Sequence, residues 1–186
     1  MARNQPNKYM ELTSDQLSAT AIYAGPTRIA TYLPMINDTL DKYGIDNPMR
    51  VAHFLAQIIH ESGSFVYTTE LANGSAYEGR RDLGNTQPGD GPLYKGRGFI
   101  QLTGRANYNT YGNYLGVDLL SNPTLVATDY PADVAGWFWS TRNLNTMADA
   151  DQLTNRTRVI NGGTNGFDDR LKYLGLAKRA LGLLPA

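Results

Sequence analysis

Apolar residues recur at helical spacing along most of this chain, and the breaks between runs fall at glycine, proline and asparagine. Thr13 with Gln16 three residues later forms a capping-box pattern, which predicts a short helix to about Tyr23. Pro26 precedes a longer helix in which Ile29, Leu33, Ile36, Leu40 and Tyr43 step by four and three, with Gly44 as its stop. Asn47-Pro48 pairs an N-cap with proline at the first helical position. It predicts a helix whose buried stripe is Val51, Phe54, Leu55 and Ile58, ending at Glu61 just before Gly63. Later helices are expected over about Arg105 to Leu115, Pro131 to Arg142, Asp149 to Ile160 and Phe167 to Leu181. In the second of these Val134, Trp137, Phe138 and Thr141 share one side, and in the last Leu171, Leu174 and Leu181 face inward.

Between Gly63 and Gly98 the periodicity stops. Glycines and prolines crowd this stretch, and Phe65, Tyr67, Tyr77 and Tyr94 are interleaved with them. A long irregular segment in a compact domain is usually functional or disordered, and the aromatic residues favour function. Phe99-Ile100-Gln101-Leu102 reads as a short strand or an extended segment. The expectation is one mainly α domain over residues 1–186, with helices wrapped around a glycine-rich cleft segment.

Composition narrows the function classes. The 17 basic and 17 acidic residues cancel, so there is no electrostatic case for a nucleic-acid partner or an anionic membrane surface. No cysteine is present, which removes a disulfide framework and any thiolate metal site. Met1 to Lys8 lacks the apolar core of a signal peptide, and no run is long enough for membrane insertion.

The chemistry rests on few residues. The chain has only four glutamates, Glu11, Glu61, Glu70 and Glu78. Glu61 continues the apolar stripe of its helix, so its carboxyl is partly desolvated, and desolvation disfavours the charged form. That is what a general acid needs; the alternative is a solvated helix-end residue. Glu70 and Glu78 sit in the loop that follows, and two carboxylates flanking a cleft are the minimum equipment of a glycosidase. Glu78 could instead pair with Arg80 or Arg81. His60-Glu61 invites a zinc-protease reading, but Ser64 stands where the second histidine belongs. His60 is a structural histidine or a cleft wall, and no metal or cofactor is expected.

Several blocks together resemble glycoside hydrolase family 19, the plant-type chitinase fold, and its bacteriophage endolysin branch in particular. They are Val51-Ala52-His53-Phe54-Leu55-Ala56-Gln57 through His60-Glu61-Ser62, Tyr77-Glu78-Gly79-Arg80 with Asp82-Leu83-Gly84-Asn85, and Tyr94-Lys95-Gly96-Arg97-Gly98-Phe99-Ile100-Gln101-Leu102-Thr103-Gly104. Ala135-Gly136-Trp137-Phe138-Trp139 and Ile160-Asn161-Gly162-Gly163 follow in family order. The resemblance implies a lysozyme-like, bilobal helical fold and a β-1,4 glycosidase. It implies Glu61 as general acid and Glu78 as the base that activates water, with Glu70 as rival for that role. Thr103 stands where the family usually has a serine that helps hold the water. Gln101, Asn107 and Asn161 match polar residues that bind N-acetyl sugars, Tyr94 resembles a subsite tyrosine, and Arg170 matches a cleft arginine that pairs with the second glutamate. His60 would line the same substrate-binding cleft. The Glu-Gly-Arg-Arg-Asp-Leu-Gly-Asn run is in the endolysin style. The expected partner is therefore bacterial peptidoglycan, cut by a monomer that waits in the host cytoplasm and depends on a holin for release to the periplasm. A chitinase and a non-catalytic sugar-binding module are the alternatives.

Overall fold

The computed structural model describes residues 10–153 and 166–185. Helix α1 (Ser14–Thr20) opens with the expected capping box: Thr13 Oγ1 accepts from Gln16 N at 3.2 Å, and Gln16 Oε1 from Thr13 N at 2.9 Å. Helix α2 (Pro26–Lys42) buries Ile29, Ile36 and Leu40. In α3 (Pro48–Glu61), Asn47 caps the first turn by accepting from Arg50 N at 2.9 Å. The pattern predicts one buried stripe, yet every residue from Val51 to Ile59 is buried. The reason is position: α3 is the central helix, with α8 (Leu144–Asp149) and α9 (Phe167–Ala180) packed on it. Each large side chain so enclosed contributes about 1.5–3 kcal/mol.

The irregular segment contains two 3-10 turns, Ser75–Tyr77 and Arg81–Leu83, and the single-turn helix α4 (Asp90–Leu93). Beyond it lie α5 (Arg105–Leu115), α6 (Leu125–Thr128) and α7 (Asp133–Thr141). Two expectations need correction. Phe99–Leu102 is not a strand: Arg97 and Leu102 form an isolated antiparallel bridge across a tight turn. Leu171 is 50 % exposed; the buried face of α9 is Arg170, Tyr173, Leu174 and Ala177. The expected helix from Asp149 to Ile160 lies largely outside the described residues, as does Asn161.

Buried apolar residues form two clusters, which matches a bilobal helical fold. The larger spans α1, α2, α3, α8 and α9. The smaller holds Tyr94, Leu102, Tyr108, Tyr111, Leu119, Val126, Val134 and Trp137. Tyr43, Ile100 and Phe138 pack against both. Asp133 ties the lobes together, accepting from Lys42 Nζ at 2.6 Å, Tyr43 OH at 3.0 Å and Tyr111 OH at 2.7 Å. Burial, and then the Asp133 carboxylate, push the Tyr111 phenol far above its ordinary pKa, so it stays a proton donor.

Candidate active site

Glu61 is the last residue of α3, and the backbone beyond it turns abruptly. Gly63, Ser64 and Phe65 have φ of +57°, +58° and +66°, a left-handed run that costs roughly 1–2 kcal/mol for each non-glycine member. Ser62 stabilises it: its hydroxyl donates to Ile58 O at 2.6 Å and accepts from Phe65 N at 2.9 Å. The reversal sends the chain back across the helix end and delivers Tyr67 and Glu70 to the rim of a cavity of about 300 Å³ that Glu61 also lines.

The Glu61 carboxylate is anchored through one oxygen. Oε1 accepts from Gln57 Nε2 at 2.9 Å and from an Arg170 guanidinium nitrogen at 2.5 Å. Arg170 itself is 1 % exposed and also donates from Nε to Gln57 Oε1 at 3.0 Å. Among the described residues these bonds engage Oε1 and none engages Oε2, and the residue lines the cavity. A carboxyl fixed in direction, with one oxygen available, can transfer a proton to a positioned leaving group.

Glu70 is held by backbone. Thr69 and Arg97 form an antiparallel bridge, Glu70 N donates to Gly96 O at 2.8 Å, and Gly96 N donates to Glu70 Oε2 at 3.0 Å. Tyr77 OH donates to Oε1 at 3.0 Å, and burial, then this bond, raise the tyrosine's pKa. Gly96 permits a close approach: a Cβ there would lie 2.8 Å from Gln101 Oε1 and 3.1 Å from Glu70 Oε2. Gln101 adopts φ +56°, an uncommon conformation for a non-glycine residue, and its amide donates to Gly98 O at 2.9 Å. It lines both this cavity and a neighbouring one of about 190 Å³, whose wall includes Thr103, Asn107, Trp137, Phe138 and Arg142.

The family model for class I chitinase matches residues 38–159. This chain belongs to glycoside hydrolase family 19. A glycosyl hydrolase family 19 domain-containing protein of Haemophilus influenzae is 32% identical over 168 residues, covering 74% of this chain and 82% of its own. An endochitinase of Arabidopsis thaliana is 40% identical over 144 residues, covering 73% of this chain and 49% of its own, so the chain spans about half of that relative. Chitinase C from Streptomyces griseus HUT6037 matches in structure with a TM-score of 0.76 at 24% identity, covering 97% of this chain and 79% of its own. That likeness carries the lysozyme-like fold. This family 19 chain is a glycosidase, and its substrate is a polysaccharide.

The family 19 cleft gathers some of the expected residues and not others. Glu61, Gln101, Thr103 and Asn107 line the two adjoining cavities. Thr103 Oγ1 donates to Gln101 O at 2.8 Å, and Asn107 donates to Thr103 O at 2.8 Å, so the three form one wall. Glu78 does not join them. Its two oxygens accept from Gly89 N at 2.7 Å and Gly91 N at 2.8 Å, which fastens the turn leading into α4. Nor does Arg170 pair with the second glutamate; it pairs with Glu61. Tyr94 is 2 % exposed, its ring packs on Tyr108 and its hydroxyl donates to Leu120 O, so it offers no face to a sugar. His60 Nδ1 lies 2.6 Å from Asp169 Oδ2 and braces α3 against α9. Sequence reasoning overlooked Gln57, whose contact with Glu61 is a plain one-turn helical pair, and Arg142.

Proposed function

We propose that this enzyme hydrolyses the β-1,4 glycosidic bonds of bacterial peptidoglycan as an endolysin, with Glu61 as general acid and Glu70 as the second carboxylate. The observation that carries this reading is that Glu61 and Glu70 line one cavity together with Gln101. Glu61 protonates the glycosidic oxygen through its unengaged Oε2. Glu70, oriented by Tyr77 and Gly96, draws a proton from water that attacks the anomeric carbon from the opposite face. Direct attack by water on that face inverts the anomeric centre. Thr103 and Gln101 position the water and the N-acetyl group.

Support for peptidoglycan comes from the Glu78–Asn85 run in the endolysin style. Leu83 of that run lines the cavity wall, and Asn85 at its end accepts from Arg105 N at 2.8 Å. In this reading the monomer accumulates in the host cytoplasm and a holin admits it to the periplasm. Chitin is the second reading, favoured by 40% identity to the plant endochitinase.

Reducing-end analysis of digested peptidoglycan and of chitin oligosaccharides distinguishes the two, run with wild type, Glu61→Gln, Glu70→Gln and Glu78→Gln. The reading expects new sugar reducing ends from peptidoglycan, lost by at least about a hundredfold in the Glu61 and Glu70 variants. Activity confined to chitin replaces peptidoglycan with chitin. An active Glu70 variant beside an inactive Glu78 variant gives the second role back to Glu78.

A further inference from the structure

Arg142 is the one cationic side chain, among the described residues, that lines either of the two cavities. It follows directly after α7, and its guanidinium carbon sits 3.4 Å from the Phe138 ring centroid. Its hydrogen bond is a long one, 3.4 Å, to the hydroxyl of its neighbour Thr141. No carboxylate among the described residues lies within ion-pair reach of it, whereas Arg50, Arg80, Arg105 and Arg170 each have one. The Arg142 side chain is exposed at the cavity mouth, and desolvation by its surroundings lowers its pKa from the ordinary arginine value. A guanidinium laid over an aromatic ring is held in direction, with N–H groups left to meet a planar acceptor.

That chemistry favours a carboxylate, which a guanidinium binds with two parallel hydrogen bonds. A chitin chain offers only hydroxyls and amides. A peptidoglycan strand offers carboxylates, on the stem peptide or, once the stem is removed, on the lactyl ether of the muramic acid residue. We infer that Arg142 is a specificity-determining residue of this cleft and pairs with a carboxylate borne by the muramic acid residue of the glycan. The inference rests on the peptidoglycan reading above, and binding tests it separately from hydrolysis.

The experiment is calorimetric titration of the full chain, carrying Glu61→Gln to prevent turnover, with and without Arg142→Met or Arg142→Lys. The ligands are chitotetraose, a muramic-acid-containing tetrasaccharide stripped of its peptides, and the same tetrasaccharide with stem peptides attached. With Arg142 present, a carboxylated ligand binds about tenfold more tightly than chitotetraose at low salt, a difference of about 1.4 kcal/mol. Arg142→Met erases that preference, Arg142→Lys keeps part of it, and added salt reduces it. A preference for the stem-bearing ligand alone assigns the carboxylate to the peptide; a preference shared by the stripped ligand assigns it to the lactyl group. No preference with Arg142 present, including no binding of any ligand, overturns the inference, as does a preference that survives Arg142→Met. Selective binding without cleavage of peptidoglycan by wild type would sink the function and leave the carboxylate site standing.

Discussion

Glu70 and Gly96 bond to each other twice: the glutamate amide donates to the glycine carbonyl at 2.8 Å, and the glycine amide donates to the glutamate carboxylate at 3.0 Å. The second bond orients a side chain through main chain alone, and it depends on the glycine having no Cβ. In Gly96→Ala the new methyl group meets the far ends of two flexible side chains, Gln101 and Glu70, so the fold yields at little cost. Those ends are the ones the proposed mechanism uses. The expected outcome is a loss of kcat by at least about tenfold with a Tm shift of only a few degrees, read by steady-state kinetics beside thermal denaturation.

Arg170 is the counterpart for Glu61. Replacing it with Met leaves a partly buried carboxylate without its cation, and removing one member of a buried pair costs about 3–5 kcal/mol. Glu61 reaches the cleft and retains some water, so a loss near the lower end is expected, about 3 kcal/mol in urea denaturation, together with impaired kcat. A variant of wild-type stability would show that α9 is not held to α3 through this contact.

Asp90 gives the pH dependence of stability a defined origin. Its side chain is 1% exposed. It accepts from Thr86 N, Gln87 N and the Arg105 guanidinium, and Arg105 first among these holds its pKa below the ordinary value. A carboxylate whose pKa is lower in the folded state stabilises the fold above its unfolded pKa. That contribution is lost as pH falls through the folded value. Asp90→Asn is therefore expected to lower stability at neutral pH and to flatten the acid limb below about pH 4. Denaturation midpoints at neutral and acidic pH check this; parallel pH curves for the two proteins would refute it.

Gly136 marks where α7 crosses α2. A Cβ there would lie 2.3 Å from the Tyr43 ring and 2.5 Å from the Thr39 methyl group. Alanine gains helix propensity of about 1 kcal/mol over glycine, but the helices must separate, and overpacking of this kind costs about 1–3 kcal/mol or more. We expect a net loss of about 2 kcal/mol in Gly136→Ala by chemical denaturation.

The helices of this protein were legible because their signals are local. Thr13 with Gln16, Asn47-Pro48 and the four-and-three spacing of α2 each specify an element within one or two turns. Glu61 stood out for the same reason, as a carboxylate on an apolar face. The second carboxylate was not separable by pattern: Glu70 and Glu78 lie in the same irregular segment, and the difference between them is which amides they meet, Gly96 in one case and Gly89 with Gly91 in the other. The Arg170 contact with Glu61 spans 109 positions, beyond any spacing rule. Leu171 misled because α9 carries leucines on its exposed face as well as its buried one.

Ile100 and Phe138 pack against both apolar clusters and also form part of the cleft wall. In the proposed mechanism the residues that join the lobes therefore also face the substrate. A saccharide bound there would act as a splint across that joint, coupling occupancy to mechanical coherence. The expected signature is a single calorimetric transition that moves upward as one unit when glycan is added, rather than one lobe melting ahead of the other.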